Sequence, residues 1–329
     1  MFKPTQIALA AISALAIIAP AANASAQNWP SRPVSMVVPF GAGSASDTVG
    51  RIVSVRMSEV LGQQVIVENI AGAGGMTGTA RIVNSPPDGY QFSFSSVDTI
   101  AINQTLYKKP LYNAATDLTP VTLVVDQPVV LIARSGLPVD TLAEFIAYGK
   151  ANQGKMQFGS SGLGSTSHLA CARLNAAIGI EPAHIPYRGS GQAMQDIAGG
   201  RIDYFCALGA AAVPPLEAKT AKAIAVLARE RSALFPAVAS SHEQGLANVE
   251  TYFWSGFFYP KNTPAPIVQK LAAATAEALD TPATQARLKS AGAVVAAPER
   301  RSQDYLKKFV DIEIATWAAT IKASGVSID

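Results

Sequence analysis

Apolar and polar positions in this chain follow two periods that alternate along its length. Val34 to Val38 is an apolar run of strand length. Beyond a glycine-rich turn, Asp47 to Leu61 carries Val49, Ile52, Val53, Val60 and Leu61 at helical spacing until Gly62 ends it. Val65 to Glu68 predicts the next strand, and the glycine-rich turn Ala71 to Gly78 leads into a helix over Ala80 to Asn84. Pro86-Pro87-Asp88-Gly89 is a strong turn signal before the strand Tyr90 to Phe94. Strand and helix in alternation imply an α/β architecture, a parallel sheet covered by helices on both faces.

From Asp117 to Val125 the pattern predicts a crossing into a second unit, which opens with the long apolar strand Val129 to Ala133. That unit repeats the alternation. Its predicted helices are Thr141 to Ala151, Ser165 to Ile178, Gly191 to Ala198 and Val213 to Lys219, and its strands are Met156 to Gly159, Ala183 to Pro186, Tyr204 to Ala207 and Ala223 to Ala228. The aromatic strand Tyr252 to Tyr259 predicts a return crossing, and the amphipathic helices Ile267 to Leu279 and Ser302 to Ser324 complete the first unit. Residues 27–126 with 250–329 are therefore expected as lobe 1 and residues 127–249 as lobe 2, with a ligand cleft between two α/β lobes joined by two crossover segments.

The first 26 residues stand outside this pattern. Lys3, the apolar run Ile7 to Ile18 and the small residues Ala24-Ser25-Ala26 predict a secretory signal peptide cleaved before Gln27, hence a periplasmic protein. The apolar run is shorter than the ~20 residues that span a bilayer. Without the first 26 residues 303 remain, and loss of Lys3 lowers the formal net charge from +3 to +2. That balance calls for neither nucleic acid nor an anionic membrane surface. Only two cysteines occur, Cys171 and Cys206. In an oxidising compartment they are expected to form a disulfide.

Candidate chemistry concentrates in two loops. Phe40-Gly41-Ala42-Gly43-Ser44 runs from a strand into a helix start, where Ser44 or Ser46 can cap and Asp47 suits the positive end of the helix dipole. Gly159 to His168 repeats the construction in the second unit, with Ser160, Ser161, Ser165 and Thr166 as neutral donors. Two such helix starts facing one another would hold a carboxylate from both sides. Enzyme signatures are missing: no stretch fits G-x-S-x-G or G-x-G-x-x-G, and Gly149 to Lys155, with phosphate-loop spacing, runs on into Met156. His168, His184 and His242 are widely spaced, without the i, i+4 pairing or cysteine companions of a metal site. His168 can donate to a ligand or hold its own loop, and Arg188 can meet a second carboxylate or lie in solvent. Arg51 and Arg56 read as solvated helix charges, and Phe253, Trp254, Phe257 and Phe258 as core.

Several separate motifs carry a family resemblance over nearly the whole chain. They are Val38-Pro39-Phe40 with Asp47, Val67-Glu68-Asn69 followed by Gly72-Ala73-Gly74-Gly75, Pro87-Asp88-Gly89-Tyr90, Ser167-His168-Leu169, Ile185-Pro186-Tyr187-Arg188-Gly189, Gly199-Gly200-Arg201-Ile202-Asp203-Tyr204 and Ile321 to Gly325. Together they resemble the extracytoplasmic solute receptors of tripartite tricarboxylate transporters, the Bug family. The resemblance implies a type II periplasmic binding-protein fold without cofactor or catalysis, a monomer that closes on a small carboxylate and passes it to membrane permease subunits. It implies a binding role for Phe40, Ala42, Ser44, Asp47, Ser160, Ser161, Ser165, Thr166 and His168, with Ser95, Ser96 and Arg188 as weaker transfers. Two departures concern selectivity: Ser44 adds a hydroxyl where the family has glycine, and Ala207 stands where the family often has an acid. The second departure removes an acceptor for a ligand ammonium and suggests an aliphatic or aromatic carboxylate without one. An exported hydrolase using Ser161 with His168, and a solute sensor for a membrane regulator, are the competing readings.

Overall fold

The computed structural model describes residues 29–324, so the signal-peptide segment lies outside the described residues. Strand β1 (Val34–Val38) is followed by α1 (Ala45–Leu61), which Ser44 caps and Gly62 closes in the left-handed region, then by β2 (Val65–Asn69), α2 (Met76–Val83) and β3 (Gln91–Ser96). β2 and β3 both pair parallel to β1, as the alternation requires. A wide, π-helical segment, Asp98–Ile102, continuing as the α-helical turn Asn103–Leu106, follows β3.

The expected crossing and the strand after it are one element, β4 (Leu118–Arg134), 17 residues long. Pro120 and Pro128 interrupt its sequence pattern, because proline in a run reads as a strand breaker. The structure accommodates Pro120 at a register shift against the return strand, between Pro120 and Thr122. β4 belongs to two sheets: residues 118–128 pair with β9 (Tyr252–Pro260), and residues 129–134 pair with β7 (Tyr204–Leu208) and β8 (Ala221–Val226). Because β9 runs antiparallel to both β3 and β4, the first sheet is mixed and not purely parallel.

The second lobe inserts between these crossings. Helix α3 (Leu142–Ala151) starts at a capping box formed by Thr141 and Glu144, and Gly154 turns the chain after it, so the phosphate-loop spacing there is a helix end. β5 (Gln157–Ser160), α4 (Thr166–Ile178), β6 (Ala183–Pro186), α5 (Ser190–Ala198), β7, α6 (Gly209–Glu217) and β8 follow. Helices α7 (Ala265–Asp280), α8 (Pro282–Ser290) and α9 (Gln303–Ser324) return to the first lobe, α8 being an addition to the expected set. No helix among the described residues is long and apolar enough to cross a membrane.

Each lobe buries its own apolar face. Phe145, Leu174 and Tyr204 pack on one side of the second sheet, while Met76, Trp254 and Leu306 pack on one side of the first. A third cluster, from Val34 and Phe92 through Val130 to Phe205, runs continuously across the two. Cys171 on α4 and Cys206 on β7 are bridged, with Cα atoms 5.5 Å apart and both side chains fully buried. The bridge ties the helix that opens at the cleft to the middle of its sheet. Closing a 35-residue separation stabilises by about 4 kcal/mol in the chain-entropy treatment. Replacing both cysteines by serine is therefore expected to lower the urea-unfolding free energy by roughly 3 to 4 kcal/mol; an unchanged midpoint would contradict that account.

Candidate ligand-binding cleft

Helix starts carry backbone N–H groups that no residue within the helix can accept. Three of them, those of α1, α4 and α5, converge where the lobes meet. A space of about 20 Å³ there is lined by Phe40, Ser44, Ala45, Ser46, Asp98, Ser161, Ser167, Ser190, Phe205, Leu208 and Phe253. That is room for about one water. Toward the surface lies an outer chamber of about 600 Å³, which shares Phe40 and Ser161 and adds the glycine-rich turn Ala71 to Gly75, Tyr107, Tyr187 and Arg188.

The α1 loop is held from behind. The Ser44 hydroxyl accepts from the Asp47 N–H at 3.2 Å. Asp47 turns away from the cleft: its carboxylate accepts from the Gly43 N–H, from Arg51 Nε and from Asn69 Nδ2, each at 2.9 Å. Burial alone would raise the Asp47 carboxyl, but these hydrogen bonds hold it below its ordinary value. Arg51, although its side chain is half exposed, is thus also a brace for the loop, bonded to Asn69 Oδ1 as well. Asn69 completes the brace by donating to the Phe40 carbonyl at 3.1 Å.

The α4 loop is held mostly by its own hydroxyls. Ser165 Oγ donates to the Gly162 carbonyl at 2.8 Å, and 2.9 Å contacts join Ser165 to Ser167 and Ser167 to Ser161. With one proton per hydroxyl, Ser167 must donate to Ser165, and Ser161 to Ser167. Ser161 therefore offers the cleft an acceptor. His168 lies behind the loop, its Nδ1 accepting from the Gly164 N–H at 3.1 Å. Its ring stacks on His184, with centroids 4.1 Å apart, and Phe158 continues the stack. Histidines distant in sequence are thus adjacent in space, and burial pushes both down to about 4, with His168 adding its effect on His184. Ser160 is fully buried and pairs with His184 Nε2 at 2.7 Å. The Ser161 hydroxyl bonds Ser167 and not His168, so the pair proposed for a hydrolase does not form.

The α4 N-terminus already holds a carboxylate, which the first lobe supplies. Asp98, 2 % exposed, accepts from the Thr166 N–H at 2.7 Å and from the Thr166 hydroxyl, both through Oδ1. Burial pushes its carboxyl up to about 7, against the pull of the two Thr166 hydrogen bonds. Thr166 is therefore occupied by a protein group. The third helix start, at α5, has no side-chain cap. The hydroxyls of Ser46 and Ser190, at the first turns of α1 and α5, have no protein partner among the described residues.

Of the residues picked out from sequence, Phe40, Ser44 and Ser161 line the inner space, and Arg188 joins Phe40 and Ser161 at the outer chamber. Ala42 lies beside it at the lobe junction, its carbonyl 3.8 Å from where a Cβ on Gly191 would stand. Ser95 and Ser96 lie within the sheet, Ser95 bonded to Ser93 at 2.9 Å. Ala207 is fully buried opposite Val130, and its strand presents Phe205 and Leu208 to the cleft instead. The missing acid at position 207 therefore does not leave the cleft without an acid. Phe253, read as core, is also a cleft wall. Asp98 and Ser190 escaped the sequence reading, although an isolated acid in the apolar run after β3 and the Gly189-Ser190 helix start were visible signals.

Two lobes on shared strands, with helix N-termini turned into the cleft between them, define a periplasmic binding protein. Solved structures agree: BugD aligns with a TM-score of 0.88 at 35 % identity, covering 91 % of this chain and 99 % of that one. MatC from Rhodopseudomonas palustris with bound malate aligns at 0.85 and 36 % identity, covering 89 % and 100 %. An R. palustris protein solved with adipate aligns at 0.86 and 31 % identity, covering 91 % and 99 %. Residues 49–326 match the tripartite tricarboxylate transporter family receptor model. A UPF0065 protein of Agrobacterium vitis is 35 % identical over 96 % of this chain and 91 % of its own length, and BugT of Bordetella pertussis is 33 % identical over 94 % of each. The chain belongs to this receptor family, whose members bind solutes and are not enzymes.

Asp98 also sets a pH dependence. Its folded value lies above the ordinary 3.8, so the stability it contributes is present below the unfolded value and is lost as pH rises through about 7. The buried histidines act in the opposite sense, losing stability as pH falls from about 6.5 to about 4. Comparison with Asp98→Asn isolates the aspartate. The unfolding free energy of the original protein minus that of the variant is expected to fall by roughly 4 kcal/mol between pH 4 and pH 8. A pH-independent difference would show that Asp98 does not titrate this way.

Proposed function

We propose that this protein is an extracytoplasmic solute receptor that binds a small carboxylate, aliphatic or aromatic, between its lobes and delivers it to a tripartite tricarboxylate-type secondary transporter. The observation that carries the reading is the pair Ser46 and Ser190, hydroxyls without protein partners at the starts of helices from different lobes. A carboxylate seated there receives hydroxyl and amide hydrogen bonds and the favourable ends of two helix dipoles. The lobes that close on it correspond to residues 27–126 with 250–329 and residues 127–249. The malate and adipate in related structures support a carboxylated ligand. Export by the N-terminal signal, action as a monomer in the periplasm and contact with permease subunits complete the proposal.

The test is thermal unfolding of refolded protein against a panel of carboxylates, refolding serving to remove any captured solute. A true ligand at about 100 times its dissociation constant adds about 2.7 kcal/mol, and Ser46→Ala is expected to weaken its binding by tenfold or more, the loss of one hydrogen bond to a charged group. A panel without any shift would count against carboxylate binding.

A further inference from the structure

The polar groups of the inner cleft are sorted by sign. Ser46 and Ser190 carry hydroxyl protons that no protein group accepts, and the first amides of α1 and α5 stand beside them. On the α4 side the groups are acceptors. Ser161 has committed its proton to Ser167 through the hydroxyl chain that ends on Gly162. Asp98 has Oδ1 on Thr166, while Oδ2 makes no hydrogen bond among the described residues. Asp98 is nine-tenths buried and more, yet no lysine, arginine or histidine lines the space with it, and no charged side chain contributes to its shifted titration. A buried carboxylate without a cation is costly. A second carboxylate beside it adds like-charge repulsion.

We infer that Asp98 selects the solute: the cleft takes a ligand that gives its carboxylate to Ser46 and Ser190 and an ammonium group to Asp98 and Ser161, an amino acid in preference to the corresponding simple acid. The inference rests on the receptor reading above and names the solute class for that same cleft. It reverses the expectation drawn from Ala207, since the acceptor stands on the opposite lobe and not on β7. Phe40, Phe205, Leu208 and Phe253 wall the space apolar, which strengthens the pairing of an ammonium with Asp98 by excluding water.

The experiment is calorimetric titration of refolded protein at pH 7.5 with matched pairs: L-alanine and propionate, L-aspartate and succinate, L-glutamate and glutarate, L-phenylalanine and 3-phenylpropionate. At least one amino acid is expected to bind tenfold or more tighter than its deaminated partner, and Asp98→Asn is expected to bring that ratio close to one. The wild-type ratio decides the matter by itself if the variant does not fold. Simple acids binding as tightly as amino acids would overturn the inference while leaving the receptor reading intact. So would a ratio unchanged in the variant, or simple acids whose binding takes up a proton and weakens tenfold per pH unit above 7, which would place a proton and not an ammonium on Asp98. Binding by neither series would overturn both.

Discussion

Unpaired amides at three helix starts are the constraint from which the cleft follows. Each start meets it differently. At α1 the chain supplies Ser44 as cap and then a brace behind the loop, in which Asp47 collects Gly43, Arg51 and Asn69. At α4, Ser165 caps from within and Asp98 arrives from the other lobe. At α5 no side chain caps. The differences matter because an amide already bonded to the protein is not available to a solute. The loop whose hydroxyls are most numerous, Ser160 to Ser167, is the one most committed to itself, whereas the sparser starts at Ser46 and Ser190 remain open.

The same arrangement depends on how closely the lobes approach. β4 carries both sheets and β9 returns the chain beside it, so the lobes are joined at paired strands and meet at the loops on their flank. There the backbones come within reach of each other: a Cβ added at Gly41 would stand 3.1 Å from the Arg188 carbonyl, and one at Gly74, where φ is +60°, would stand 3.1 Å from the Leu163 carbonyl. Glycine at these positions spares the facing backbone a shift of a few tenths of an ångström where the lobes touch, and at Gly74 it also suits the positive φ. These contacts flank the cleft, and the Asp98–Thr166 bond also joins lobe to lobe.

Much of this was legible in the residues. Alternating periods foretold two α/β units, the family motifs foretold the lobes, and the strand-to-helix loops picked out from the residues contribute to the lining of the space between them. The hidden part was of two physical kinds. The crossing expected from Asp117 to Val125 and the strand Val129 to Ala133 are one element, β4, and only the opposing strand reveals that a register shift accommodates Pro120. Side-chain direction was the other: Asp47 and Ser160 sit in the right loops but face backward, toward Asn69 and His184, and the motif that contains them does not say so. Asp98 was passed over because its partner, Thr166, lies 68 residues away. The aspartate is intelligible only once the two lobes are brought together.

That dependence on closure gives Asp98 a second consequence. Apart from Thr166 its carboxylate lies with side chains of which several belong to the facing lobe, Ser161, Ser190 and Phe205 among them, so its burial is a product of the lobes coming together. Closing on an ionised Asp98 without a compensating group carries a desolvation penalty that the two Thr166 hydrogen bonds only partly offset, as the net upward shift of its carboxyl records. A solute shifts an open–closed equilibrium only by its difference in affinity for the two states. A group that neutralises Asp98 contributes most when the cleft is shut, because attraction between charges rises as water is excluded. On the proposed reading the buried acid couples recognition to closure: a solute with the wrong complement of charge leaves the penalty in place and favours the closed state less.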